Sequence, residues 1–445
     1  MAIEERYVAR VVNLIPDHDQ RLFGGDLDTA RRFLVAGDQR AFGELGGSFA
    51  IMARDGERVL MARSLDRPMR YFLAKEASGP MLVVADRIDA IHEQLEADGY
   101  GDQFHPSYTR MVPAHHVTEL QLVGCPDPNP GQLRFFDPPH ATLPTDLDLI
   151  GERYVGALAS VVRTWLDTVD DREPIGVPFS GGLDSGTVLL TLYHQLLATG
   201  RSPSRLKAFT LAVDGGGEDL AQARAFLRAT NLEMLHEPIE VAADAVDPLA
   251  AVELIEDYKP RDVECAAMMI ALCRALRERY ADWRLLVDGD GGDENLKDYP
   301  IEENPELTIR SVVNNRMLYQ EGWGVDAIKH SLTYSGGLSR GCVRGWAPSR
   351  HHGFIPFSPM TQTPVIAVAE AIPFADLSAG SHEALYGLKG EVYRRGVAKV
   401  LGIELPVFAK RRFQHGAAPA GLVAERFDDP IGHGYRRHFL RRYQS

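Results

Sequence analysis

The chain has 445 residues, 45% hydrophobic and 25% charged, with a formal net charge of −14. Those values describe a globular protein large enough for two or three cores and argue against a broad face for nucleic acid. No run reaches membrane-spanning length and the first residues lack an apolar signal region, so no membrane partner and a cytoplasmic location are expected. The four cysteines, Cys125, Cys265, Cys273 and Cys342, form neither a CxxC pair nor a disulfide framework. Cys265 and Cys273 fall in an apolar helical pattern and read as buried thiols.

Residues 1–140 read as a β-rich unit. Short β-prone stretches at 7–15, 46–55, 57–65, 69–76 and 80–86 are separated by Gly, Asp or Pro, and residues 85–98 have the period of an amphipathic helix. Pro138, Pro139 and Pro144 mark a linker. The pattern then changes. From 146 to 445, helices are expected at 149–168, 187–197, 219–230 and 266–279, and strands at 175–179, 206–213, 233–241 and 283–287. Such alternation predicts right-handed βαβ units and a parallel sheet, with ligands beyond the carboxyl ends of its strands.

Two strand ends carry chemistry. After the first lies Ser180-Gly181-Gly182-Leu183-Asp184-Ser185, with Thr187 opening an apolar helix. Glycines permit a sharp turn and close backbone approach, while helix-start amides and serine hydroxyls converge as a site for phosphate oxygens. Asp184 inside such a cradle would repel phosphate unless a cation intervenes, which points to Mg²⁺. No Lys-Ser/Thr follows at Walker A spacing. After the fourth strand lies Asp288-Gly289-Asp290-Gly291-Gly292-Asp293-Glu294, four carboxylates that call for a cation or a basic ligand.

SGGLDS resembles the pyrophosphate loop of the ATP pyrophosphatases, and the chain as a whole resembles the asparagine synthetase and β-lactam synthetase family. DGDGGDE is similar to that family's SGEGSDE, GFIPFSPM to its VPFLD segment, and LPVFAKRRFQHG at 405–416 to its late lysine segment. The resemblance implies an α/β protein. An N-terminal β-rich, Ntn-hydrolase-like α+β domain (1–140) would precede a parallel-sheet, adenine-nucleotide α-hydrolase-like (PP-loop) synthetase domain (146–445). It implies ATP and Mg as cofactors. Asp184 and Asp293 fall on the magnesium-binding aspartates, Ser180, Gly182 and Ser185 on phosphate contacts, and Leu211 and Gly289 on nucleotide contacts. Asp290 takes the place of the glutamate beside the reacting centre. Lys410 matches the lysine that stabilises charge on adenylate and pyrophosphate, and such an ammonium lowers the barrier to breaking the phosphate bond. Lys389 falls in a weaker match to the preceding helix.

The departures shape the functional expectation. Glutamine-using members place a nucleophilic Cys directly after Met1. Here residue 2 is Ala and no Cys precedes Cys125. The N-terminal unit therefore reads as a degenerate glutaminase-like scaffold. Asp290 is one methylene shorter than the family's Glu. The cluster Trp346 to His352 is more basic than the family's, and His351 and His352 titrate near neutrality when unperturbed, as a base or substrate contact would.

The expectation is an AMP-forming carbon–nitrogen ligase acting on a small-molecule carboxylic acid and an amine or ammonia that does not come from glutamine. An unusual acceptor suits specialised, antibiotic-type biosynthesis. An intramolecular lactam-forming cyclase and a nucleotide-binding pseudoenzyme stand as alternatives, and a homodimer is left open.

Overall fold

A computed structural model describes residues 7–8, 10–75, 79–123, 130–298, 301, 308–314, 342–408, 412–419 and 421–444. The N-terminal strands are β1 (Arg10–Asn13), β2 (Arg21–Leu22), β3 (Gly47–Ser48), β4 (Ala50–Asp55), β5 (Arg58–Arg63), β6 (Arg70–Ala74), β7 (Met81–Ala85), β8 (Arg110–Met111), β9 (His116–Gln121) and β10 (Gly131–Arg134). They form two four-stranded sheets, β1-β7-β6-β8 and β10-β9-β5-β4, and a β2-β3 pair.

Period-two alternation explains how the two large sheets stack. Val59 and Met61 of β5 meet Leu82 and Val84 of β7 in one core. Leu60 and Ala62 turn outward beneath the helix Leu27–Ala36, and Met81, Val83 and Ala85 beneath the helix Ile88–Ala97. The result is a helix–sheet–sheet–helix sandwich. The helix Leu27–Ala36, capped by Asp26 accepting from the Thr29 N–H, escapes a reading that follows β-prone runs alone.

The second unit holds β11 (Ile175–Pro178), β12 (Leu206–Val213), β13 (His236–Val241), β14 (Leu285–Val287) and β15 (Ile355–Phe357). They pair in the order β13-β12-β11-β14-β15, every pairing parallel. β11, β12 and β14 are largely apolar on both sides because both faces of the sheet are covered there. Ile175, Val177, Leu285 and Val287 pack with the helices Leu147–Leu166, Leu183–Ala198 and His382–Leu401. Phe209, Leu211 and Leu286 face the helices Pro248–Ile255 and Pro260–Arg279.

Three boundaries differ from the periodicity. The helix after SGG begins at Leu183 rather than 187, with Gly182 at its N-cap and Asp184 in its first turn, where a carboxylate suits the helix dipole. The next long helix begins at Pro260, six residues before its apolar pattern is evident, since Pro at the first position is preset for helical φ. β15 was not expected. It is a three-residue edge strand containing Pro356, too short for a pattern and tolerant of the missing N–H only at an edge.

The two units share a core, because Phe72, Ile91 and Leu95 join the same apolar cluster as Phe209 and Met268. A polar clasp lies beside it. Glu256, in left-handed backbone at φ +52°, accepts from the Ile88 N–H at 2.8 Å and the Asp89 N–H at 2.9 Å. One unit thus caps a helix of the other. Arg87 lies 3.6 Å and Arg70 3.8 Å from the same carboxylate.

Candidate active site

The chain leaves β11 toward β12 and β13 on one side, then returns to place β14 and β15 on the other. The crevice above the carboxyl ends of β11 and β14 lies where the winding direction reverses, the position at which such sheets bind ligands. Both glycine–acid loops end at this crevice. Ser180, Gly182, Asp184 and Ser185 line one cavity of about 340 Å³ together with Asp288, Gly289, Asp290 and Asp293.

Loop shape follows from two glycines. Gly181 has φ +73°, and a Cβ there would stand 2.9 Å from the backbone of Ala223, so the turn needs glycine for both conformation and space. Gly289 sits against the other loop: a Cβ on it would meet the Asp184 and Ser185 backbone at 2.9 Å. The Gly182 N–H donates to Ser180 Oγ at 3.3 Å, the Ser180 and Ser185 hydroxyls are 3.5 Å apart, and the Gln222 side chain donates to the Ser180 carbonyl at 3.2 Å. Two hydroxyls and the open first turn of a 16-residue helix thus face the cavity, a donor array for phosphate oxygens.

Asp184 and Asp293 are brought together by a lysine. Lys389 Nζ lies 2.6 Å from Asp184 Oδ2, bonds Asp293, and approaches Asp298 at 3.5 Å. Tyr393, one turn further along the same helix, donates to Asp184 Oδ1 at 2.7 Å, as i, i+4 spacing requires. That helix comes close because Gly151 and Gly396 meet. A Cβ on Gly396 would lie 2.3 Å from the Gly151 carbonyl oxygen. Burial alone would lower the Lys389 pKa, but the carboxylates of Asp184, Asp293 and Asp298 overcome it and hold the ammonium well above its usual range. No group of three or more metal-ligating side chains occurs among the described residues. Two hard oxygen donors beside a phosphate-shaped cradle fit magnesium, which takes one or two carboxylates and completes its shell with water and phosphate.

The far wall is a second charged group. Asp288 Oδ1 accepts from the Ser358 hydroxyl at 2.6 Å and from the Asp290 N–H at 3.1 Å. Burial pushes the Asp288 carboxyl up to about 6, against those hydrogen bonds. Burial, then the neighbouring Asp288, raises Asp290 well above the carboxylate range. Arg344 faces them across the cavity, its Nε 3.1 Å from Asp262 Oδ1, and Lys259 holds the other Asp262 oxygen at 2.7 Å. Arg261, Met269, Phe413 and Gln414 complete this side.

Of the expected site residues, Ser180, Gly182, Asp184, Ser185, Gly289, Asp290 and Asp293 meet in this cavity. Leu211 does not line it. Its side chain is buried in the core on the helical face of β12. Lys410 lies outside the described residues, as do the structures around Ala2 and Cys125, and the Cys342 side chain. Phe408 and Arg412, on either side of Lys410, line the cavity. His351 and His352 do not, and burial lowers His352 to about 4. Cys265 and Cys273 are thiols raised by burial to about 11 and about 12, Cys265 at the cavity wall. Tyr393 and Arg344 were not foreseen. Tyr393 has a signal in its spacing from Lys389, whereas Arg344 follows residues whose similarity is thin.

Residues 160–338 match the asparagine synthase family. The match covers less than half of the chain, but runs from the first long helix of the second unit through β14 and takes in both glycine–acid loops. No curated protein matches the chain. Over those residues the chain is therefore similar to asparagine synthase domains.

Proposed function

We propose that this protein is an ATP- and Mg-dependent, AMP-forming ligase that joins a carboxylic acid to an amine or ammonia not taken from glutamine. The observation that carries the reading is the meeting of Asp184 and Asp293, from loops on neighbouring strands, beside the hydroxyls of Ser180 and Ser185. In the proposed reaction a carboxylate oxygen bonds to the α-phosphorus of ATP as the α–β bridging bond breaks and pyrophosphate leaves. The amine nitrogen then bonds to the acyl carbon, and AMP departs with the electrons of the broken carbon–oxygen bond.

Ser180, Ser185 and the amides of the helix start hold the phosphates. Asp184 and Asp293 would hold magnesium, which supplies charge neutralisation at the pyrophosphate. Lys410, by its place between Phe408 and Arg412, is assigned the developing charge. Asp290 orients the amine. The absence of a cysteine from residues 1–124 supports a nitrogen source other than glutamine, and the unusual acceptor this requires suits specialised biosynthesis.

The test is pyrophosphate release with ATP and Mg²⁺ across a panel of amino acids and related acids, offering ammonia, hydroxylamine and glutamine separately. Release with one acid, indifferent to glutamine and abolished in Asp184→Ala, is expected. Activity with glutamine alone, or release that survives Asp184→Ala, overturns the reading. Product mass separates joining of two substrates from loss of one water within a single substrate.

A further inference from the structure

The segment from Asp19 to Phe23 belongs to the N-terminal sandwich but lies along the β15 edge of the parallel sheet. Strand alternation fixes its two faces. Leu22 packs into the N-terminal core. Phe23 turns the other way, joins the core of the second unit and meets Phe357 of β15 edge-on, with ring centroids 6.1 Å apart. Arg21 stands two residues earlier and shares the face of Phe23. Asp19 pins the other end of the segment by accepting from Arg350. Arg21 is therefore held against the second unit from both sides.

What it faces there is more positive charge. Arg284 directly precedes β14, and its carbonyl accepts from the Ile355 N–H at 2.7 Å. It thus lies at the amino end of the sheet, opposite the crevice of the glycine–acid loops. Arg284 keeps one acid, Glu173 at 2.6 Å, and Arg350 keeps Asp19. Arg21 keeps none. It is half-buried, and its guanidinium has no hydrogen-bond or ion-pair partner among the described residues. Burial lowers its pKa, Glu173 opposes this, and Arg284, Arg350 and Arg67 add to the lowering. In a chain of net charge −14, gathering cations around an unpaired, partly desolvated arginine is costly unless an anion completes the group.

We propose that Arg21, Arg284 and Arg350 form an anion site on the seam between the two units, and that its ligand is a phosphate dianion. The inference does not rest on the ligase reading. Arg21 offers all of its N–H donors, and Arg284 and Arg350 those not turned to their acids. Donors arriving from three chain segments suit a tetrahedral oxyanion, which presents oxygens on every side, better than a planar carboxylate. Guanidinium forks match phosphate two oxygens at a time. Bound there, the anion joins β2 of one unit to β14 and the helix Ala347–His351 of the other.

Calorimetric titration of the purified protein with inorganic phosphate above neutral pH, at fixed ionic strength, tests this without turnover. Non-cleavable α,β-methylene-ATP with Mg²⁺ is kept in excess to fill the other phosphate cradle, and acetate serves as the planar control. Phosphate should bind the wild type and raise its thermal midpoint, while acetate does neither. Its affinity should fall about tenfold or more in Arg21→Gln and in Arg284→Gln. In phosphate-free buffer of low ionic strength Arg21→Gln should melt no lower than the wild type, because it removes a cation that its neighbours repel. Absence of phosphate binding, equal binding of acetate, or unchanged phosphate affinity in Arg21→Gln overturns the proposal. So does an Arg21→Gln midpoint well below that of the wild type without phosphate, which would mark Arg21 as a structural contact. Failure of the ligase reading would show separately, as absent pyrophosphate release.

Discussion

Lys389 Nζ and Asp184 Oδ2 lie 2.6 Å apart, and the same ammonium reaches Asp293. The two carboxylates best placed for magnesium are thus already bridged by a cation of the protein. Lys389 is buried at 3% side-chain exposure, so its charge is screened little by water.

Replacing it tests that arrangement. Lys389→Met leaves Asp184 and Asp293 facing each other uncompensated, and stability should fall by about 3–5 kcal/mol. Millimolar Mg²⁺ should then raise the thermal midpoint of the variant more than that of the wild type. Equal shifts would show that the carboxylates do not take a divalent ion.

Gly181→Ala probes the phosphate loop. The left-handed φ and the 2.9 Å approach to Ala223 predict a loss of about 1–3 kcal/mol, with nucleotide affinity weakened because the hydroxyls of Ser180 and Ser185 shift together. Calorimetric titration with ATP and a denaturant melt measure the two effects. Unchanged ATP affinity would remove the loop from the binding site.

The clasp between the units predicts a sequence of events. Glu256→Ala strips the cap from the helix Ile88–Ala97 and leaves Arg70, 3% exposed, with Asp257 but without its paired carboxylate. A loss of about 2–4 kcal/mol is expected, with protease cutting first in the N-terminal sheets. Simultaneous cutting of both units would contradict this.

His115 gives a pH dependence with a definite sign. It is 1% exposed, and burial, aided by Arg63, lowers its pKa to about 3. The unfolded chain, near 6.5, binds the proton more readily than the folded one. Its share of stability is therefore complete above pH 6.5 and drains as pH falls toward 3, by about 1.4 kcal/mol per unit. In His115→Asn, which tolerates the residue's φ of +59°, the midpoint should decline less between pH 6.5 and 4. Parallel curves would refute it.

The parallel sheet was legible because β11 and β12 are largely apolar runs each followed by a periodic helix, and both loops announce themselves by glycines beside acids at strand ends. β15 hides because three residues carry no period. The partnership of Lys389 with Asp184 joins positions 205 residues apart, a distance over which only packing decides, here at the Gly151–Gly396 contact. The acids at 288 and 290 were visible in the sequence, but Gly345, which packs closely against both, lies on another segment. Leu211 shows the reverse case: a motif position was legible, while the face its side chain takes was set by strand alternation.

Trp346 ties the units in another way. Arg67 from the N-terminal sandwich stacks over its ring at 5.3 Å and donates to the Asp19 carbonyl at 2.6 Å, while Asp19 pairs with Arg350. Arg344 and Gly345, which line the cavity beside Asp290, are the residues immediately before that tryptophan. A unit with no cysteine at its second residue is therefore also a buttress. A lineage that discarded it would lose the back wall of the pocket with it, so the two units are expected to be inherited, and to vary, as one.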